Sequence, residues 1–114
     1  MITYKRGDIV LVPFPFSNQT ATKKRPAVVI SSSLYNEKTN DIVIIAVTSK
    51  VGKHAEVGEC LVADWQSAGL LKPSAVKPAI STVEQVLVLK KLGSLSANDI
   101  PSVDLMMKTL LDLH

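Results

Sequence analysis

Residues 7–31 read GDIVLVPFPFSNQTATKKRPAVVIS, and this stretch decides the fold. An apolar run, Ile9 to Val12, meets Pro13-Phe14-Pro15-Phe16. A polar segment, Ser17 to Thr22, follows, then three cations, Lys23, Lys24 and Arg25. Pro26 opens a second apolar run, Ala27 to Ile30. Two β-branched runs around a polar stretch without helical period predict strand, loop, strand, with the strands over 8–13 and 26–31. The cations then stand where the chain re-enters the sheet. A guanidinium there is a rigid fork of donors suited to phosphate.

Outward from this stretch, further short elements are predicted. Ser31-Ser32-Ser33 offers N-caps for a short helix over Leu34, Tyr35 and Asn36. The unbroken apolar run of residues 41–47, DIVIIAV, predicts a strand buried on both faces, ending at Thr48-Ser49-Lys50. Residues 54–62 suggest two short strands around Gly58, and 63–70 one or two helical turns ended by Gly69. Pro73 and Pro78 flank an extended segment, Ser74 to Lys77, and Val86 to Leu89 predicts another strand. The period then changes. Ile100, Val103, Met107, Leu110 and Leu111 share a helical face, with Asp104, Lys108 and Asp112 as a ladder on the other side. Pro101 must fall in the first turn, so the helix begins near Asn98 or Asp99. The pattern is mainly β: a small curled antiparallel sheet with a C-terminal α-helix.

The 114 residues predict one domain with one core. Only 4% are aromatic, so that core is aliphatic. No run is long enough to span a membrane, and Met1-Ile2-Thr3-Tyr4 leads straight towards the first strand without a signal segment. The single cysteine, Cys60, has no partner within the chain for a disulfide, which points to a reducing cytoplasm. The net charge of +3 is uneven. Residues 1–54 carry eight basic side chains against three acids, and residues 55–114 five against seven. A basic half suits a polyanion, though lysines also simply solubilise surfaces.

No His, Cys, Asp or Glu pair has metal-ligand spacing, and there is no glycine-rich phosphate loop; no metal or other cofactor is expected. Cys60 sits among apolar residues as a small core side chain. RNA, however, supplies its own nucleophile. Its 2′-hydroxyl attacks the adjacent phosphorus when a base takes the proton, a cation stabilises the phosphoryl oxygens and an acid protonates the leaving 5′-oxygen.

The order RGDIVLV, loop, RP-AVVIS, then VIIAVTS, KPSAVKP and KKLGSLS, from Arg6 to about Ser96, resembles the PemK/MazF family of toxin endoribonucleases. No one of these pieces is specific; their order over some ninety residues is. The resemblance implies an SH3-like barrel and a homodimer holding single-stranded RNA across its interface. It also implies a cognate antitoxin whose acidic tail fills the groove, and 2′,3′-cyclic phosphate and 5′-hydroxyl products. It makes Arg25 the essential arginine before the proline, and Thr48 the hydroxyl on the scissile phosphate, with Ser49 beside it. Read from the residues alone, Arg25 serves equally as a solvated loop cation or a partner of Asp8, and Thr48 as a strand-end cap.

The chain departs from the family at a third place. Where relatives carry an arginine and an aspartate two residues apart, it has Lys77 and Ala79. Lys77 brings charge without a fork, and Ala79 accepts no proton. The loop histidine of some relatives has no counterpart in Ser17 to Thr22. His54, Glu56 and Glu84 remain as candidate bases; His54 titrates near neutrality but also reads as an exposed loop residue. Lys23, Lys24, Lys50 and Lys53 would line an RNA groove, and equally serve solubility. Trp65 could stack on a base, but on a short amphipathic turn it reads as packing. Ala79 gives weight to one alternative, a toxin of the same fold that poisons DNA gyrase without cutting RNA; a further alternative is a plain SH3-like module binding nucleic acid or protein. Scarce aromatics count against proline-rich peptides as ligands.

Overall fold

The structure is a computed structural model and describes residues 3–14, 23–51 and 59–114. Its elements in chain order are β1 (Asp8–Phe14), β2 (Lys23–Val29), α1 (Ser33–Lys38), β3 (Asp41–Thr48), β4 (Cys60–Leu61), β5 (Ala75–Glu84), a 3₁₀ turn (Gln85–Leu87), β6 (Lys90–Ser94) and α2 (Asp99–Leu111). The strands form one antiparallel sheet in the order β4-β5-β3-β2-β1-β6. It is the curled sheet with a C-terminal helix that the sequence pattern predicts.

Strand alternation divides the core into two clusters, one on each face of the sheet. On one face Ile9, Val28, Ile45 and Val47 meet Val103, Met106 and Met107 of α2. On the other, Val10, Val12, Ala27, Val29, Ile42, Ile44 and Ala46 pack with Tyr4 and Val83. Strand β3 contributes to both clusters, as its unbroken apolar run requires. Cys60 and Trp65 pack against the helix-side cluster, in keeping with structural roles.

Several boundaries differ from the sequence expectation. Strand β2 begins at Lys23, so the three cations lie on the strand and not in the preceding loop. Pairing with β1, Phe14 opposite Lys23 and Val12 opposite Arg25, outweighs the weak strand preference of lysine. The segment expected to end at Lys77 continues as β5 to Glu84. The strand expected over 86–89 is instead the 3₁₀ turn, with β6 following at Lys90. Gln85 explains the change. Its side-chain amide donates to the carbonyls of Asn36 and Asp41, at 2.8 and 3.0 Å, pinning the chain as it crosses from β5 towards β6. Helix α2 starts at Asp99 as expected. Asp104 does not join a ladder along the helix but pairs with Arg6 at 2.6 Å. Met106, missing from the expected apolar face, is buried.

Two ties connect the parts that the ladders leave apart. Residues 63–70 make a turn in which the Ala68 amide reaches the Asp64 carbonyl at 3.1 Å, and Gly69 has a positive φ of 90°. The Gly69 backbone lies against Gly93 of β6. A Cβ on Gly69 would collide with the Leu92 carbonyl, and one on Gly93 with the Ala68 carbonyl. Asp99, 2% exposed, accepts hydrogen bonds from the amides of Ala63 and Asp64, each at 2.9 Å, and so ties the same turn to α2.

Candidate RNA-cleaving site

Strands β2, β3 and β5 end together, and the expected site residues Arg25, Thr48 and Lys77 gather at that end. In the β2–β3 ladder Ala27 faces Ala46. That pair is the last of the ladder, and Arg25 and Thr48 each lie two residues beyond it. Thr48 in turn pairs with Ala75 of β5.

A bulge brings in a third side chain. Ile45 pairs with Ile80 and Val47 with Val76, so the single residue Ala46 of β3 faces three of β5: Lys77, Pro78 and Ala79. Proline has no N–H for the ladder, and a bulge is a place where a sheet accepts it. Alternation then puts Lys77 and Ala79 on the face opposite α2, where Ala79 packs against the second cluster. The sequence signal for this bulge was Pro78 itself.

Arg25, Ala46, Val47, Thr48, Lys50 and Lys77 line one open cleft of about 190 Å³. Three cations and a hydroxyl therefore converge there, and none of these lining residues is a carboxylate or an imidazole. Arg25 and Lys77 are half-buried and Lys50 is exposed, so the charges border solvent. The Thr48 hydroxyl accepts a hydrogen bond from the Lys50 amide at 3.1 Å. It thus caps the strand end, and its own proton stays available for a phosphoryl oxygen.

The other expected residues are distributed as follows. Lys23 and Lys24 are exposed on β2 and lead up to Arg25. Ser49 does not share the cleft. It lines a separate depression together with Pro26. Lys53, His54 and Glu56 lie outside the described residues. Glu84 pairs with Asp41 while Thr48 pairs with Ala75, so Glu84 sits at the far end of β5. Seven residues of β3 separate the two ends, about 23 Å at ~3.3 Å per residue, which removes Glu84 as a base within the same chain. Asp8 lies four residues down β1 from Val12, the residue opposite Arg25, about 13 Å away at ~3.3 Å per residue, and its carboxylate instead meets Lys91 at 3.3 Å and Ser94 at 3.2 Å. Among the described residues no three His, Cys, Asp or Glu side chains gather as a metal site.

Comparison with known proteins identifies the family and the fold. The model of the PemK-like, MazF-like toxins of type II toxin–antitoxin systems matches residues 5–111. No curated protein matches the chain. Among solved structures, it is similar to a mycobacterial endoribonuclease in complex with its cognate antitoxin, with a TM-score of 0.76 at 16% identity, covering 100% of this chain and 98% of that one. It is also similar to a MazE–MazF structure from Deinococcus radiodurans, with a TM-score of 0.76 at 18% identity, covering 99% and 100%. A third is the Mycobacterium tuberculosis toxin MazF-mt6, with a TM-score of 0.69 at 19% identity, covering 92% and 98%.

Proposed function

The chain belongs to the family of PemK-like, MazF-like toxins of type II toxin–antitoxin systems, and from that premise we propose that it is an endoribonuclease cutting single-stranded RNA. The observation that carries this reading is the convergence of Arg25, Thr48, Lys50 and Lys77 on one cleft.

The RNA 2′-oxygen attacks the adjacent phosphorus, a new P–O2′ bond forms and the P–O5′ bond breaks. The products are a 2′,3′-cyclic phosphate and a 5′-hydroxyl. Negative charge grows on the non-bridging oxygens as the fifth bond forms. The Arg25 fork and the Lys77 ammonium neutralise it, and the Thr48 hydroxyl donates to it. Lys50, Lys23 and Lys24 hold flanking phosphates, which positions the strand without reading bases. The proton leaving the 2′-oxygen goes to a base that none of the described cleft residues supplies, and the departing 5′-oxygen takes a proton from a cleft ammonium group or from water to become the 5′-hydroxyl.

The same basic cleft suits an acidic antitoxin tail, and structures of this fold include complexes with a cognate antitoxin. We place the protein in the cytoplasm, as a homodimer that presents two such clefts. No helix of the described residues is long and apolar enough to cross a membrane.

Ala79 favours a second reading. It occupies the bulge two residues from Lys77 and cannot accept a proton, and a toxin that only grips its target needs no base. Cleavage of a long unstructured RNA with EDTA present, its ends then assigned by mass, separates the two. Fragments with cyclic phosphate ends support the ribonuclease. Intact RNA, together with inhibition of gyrase, supports the binding toxin. RNA affinity should fall steeply with salt, because bound cations displace condensed counterions.

A further inference from the structure

Resting on the reading above, we propose a further activity: the same cleft joins RNA ends, adding a strand with a 5′-hydroxyl to a strand that ends in a 2′,3′-cyclic phosphate.

The placement of the cations carries this. The β2–β3 ladder stops at Ala27 and Ala46, and beyond that pair each strand keeps its other neighbour. Strand β2 runs beside β1, with Lys23 opposite Phe14 and Arg25 opposite Val12. Strand β3 runs beside β5, with Thr48 opposite Ala75. The cleft therefore has two banks, one of β1 and β2, the other of β3 and β5. Each bank carries an exposed lysine just outside the reacting centre. Lys23 stands two residues before Arg25, on the same face by strand alternation, and Lys50 two residues past Thr48.

A strand whose scissile phosphate meets Arg25, Thr48 and Lys77 then has a neighbouring phosphate for each bank. When the bond breaks, both fragments are still held, one by Lys23 and the other by Lys50. A hydroxyl held in line with its target reacts as if at effective concentrations that reach about 10⁵–10⁸ M. Water has no phosphate for these lysines to grip and gains nothing from them. The held 5′-hydroxyl is therefore the favoured nucleophile on the cyclic phosphate.

The step balances without an energy source. The 5′-oxygen attacks phosphorus, the P–O5′ bond forms and the strained P–O2′ bond breaks. The 5′-hydroxyl gives up its proton and the 2′-oxygen takes one. The five-bonded phosphorus is the one that cleavage passes through, with the same charge on its non-bridging oxygens. Arg25, Lys77 and the Thr48 hydroxyl thus stabilise it in either direction.

The test uses the full chain and fragments of its own making, so the cut site need not be known. A 5′-labelled RNA is cut and both fragments are purified. The labelled cyclic-phosphate fragment then returns to fresh protein at low salt with a large excess of the 5′-hydroxyl fragment, and intact RNA runs beside it. Labelled full-length RNA should reappear, and phosphorylating the acceptor's 5′-hydroxyl should abolish its formation. Raised salt should lower joining, because both ends are held through phosphates. A catalyst cannot shift the equilibrium between two directions of one reaction. Arg25→Ala should therefore slow joining and cleavage by one common factor, about a hundredfold or more. Three results would overturn the inference while cleavage stands: a cyclic-phosphate fragment that stays unjoined, one that water opens to a 3′-phosphate instead, or joining that ignores the blocked acceptor or the loss of Arg25. A chain that cuts no RNA at all would remove the ribonuclease reading, and joining with it.

Discussion

Arg25 and Thr48 line one cleft, each two residues beyond the Ala27–Ala46 pair at which the β2–β3 ladder ends. Arg25 is paired with Val12 of β1 and Thr48 with Ala75 of β5, so the sheet fixes both backbones. Under the proposed reading, that rigidity would let both meet one phosphate without reorganising as charge develops.

Arg25→Ala should remove most cleavage while leaving the fold intact. Arg25 is half-buried beside the cleft, whereas the core lies inward from Ala27. Loss of one donor aimed at developing charge typically costs about 2.7–4 kcal/mol, or roughly a hundred- to a thousandfold in rate. Single-turnover cleavage with thermal unfolding in parallel measures both. A folded variant that cuts at the wild-type rate would place the site elsewhere.

Thr48→Val should lower turnover more than RNA affinity. Valine keeps the β-branched shape that a strand end favours. The Lys50 amide loses its 3.1 Å acceptor, but it lies next to solvent and can hydrate, so stability should fall by no more than about 1 kcal/mol. A hydroxyl that helps most as charge develops shows its absence in the rate constant, with binding nearly unchanged. Equal losses in both would make Thr48 a binding residue only.

Ala79→Asp should not inactivate. The new carboxylate would stand in the bulge on the Lys77 side of β5, where relatives of this resemblance carry an acid. With the present base elsewhere it is spare, so cleavage should hold level or rise and its pH profile should shift. The profile is measured from about pH 5 to 9, which spans carboxylate and imidazole titration. Silence from both wild type and variant would favour the toxin that binds without cutting.

Gly93→Ala should destabilise by about 1–3 kcal/mol, the usual cost of forcing atoms into a filled space. The added methyl meets the backbone of Ala68, which cannot swing aside as a side chain would. Urea denaturation gives the value. A neutral result would mean that the turn of residues 63–70 is not bound to β6 in solution.

Cys60 should alkylate slowly in the native protein. Burial, and then the nearby Asp99 carboxylate, raise its thiol above the ordinary cysteine range. Only the thiolate attacks, so near pH 8 the native rate with iodoacetamide should lie below that of the unfolded chain and climb as pH rises. The raised thiol also favours the folded state only at high pH's expense: stability is fully present below the unfolded value and declines as pH climbs through it and the native thiol stays protonated while the unfolded one ionises.

Much of this was legible in the residues. The run Asp41 to Val47 has no polar gap, and its strand is buried on both faces. The period over Ile100, Val103 and Met107, with Pro101 confined to the first turn, fixed the start of α2. The order of RP and VTS brought Arg25 and Thr48 forward, and the structure sets them in one cleft. Register was not legible. The bulge that carries Lys77 is a relation between two strands, and only Pro78 hinted at it. The turn at Gln85 depends on carbonyls 44 and 49 positions earlier in the chain. Ser49 lies just past the end of β3 and lines the neighbouring depression, a placement that adjacency to Thr48 does not reveal.

The pairing of β1 with β6 has a consequence during synthesis. Asp8 lies opposite Ser94 and bonds its hydroxyl at 3.2 Å, across 86 positions of chain. The outer edge of the first strand made must therefore wait for one of the last. Val103, Met106 and Met107, which cover one side of the sheet, come later still. A chain still on the ribosome can form the β1–β2–β3 meander, with Arg25 and Thr48 in place, yet it lacks the strand and helix that consolidate it. Contacts this distant in sequence close slowly. The machinery that makes the toxin has thus nearly finished the chain before the chain is complete enough to act.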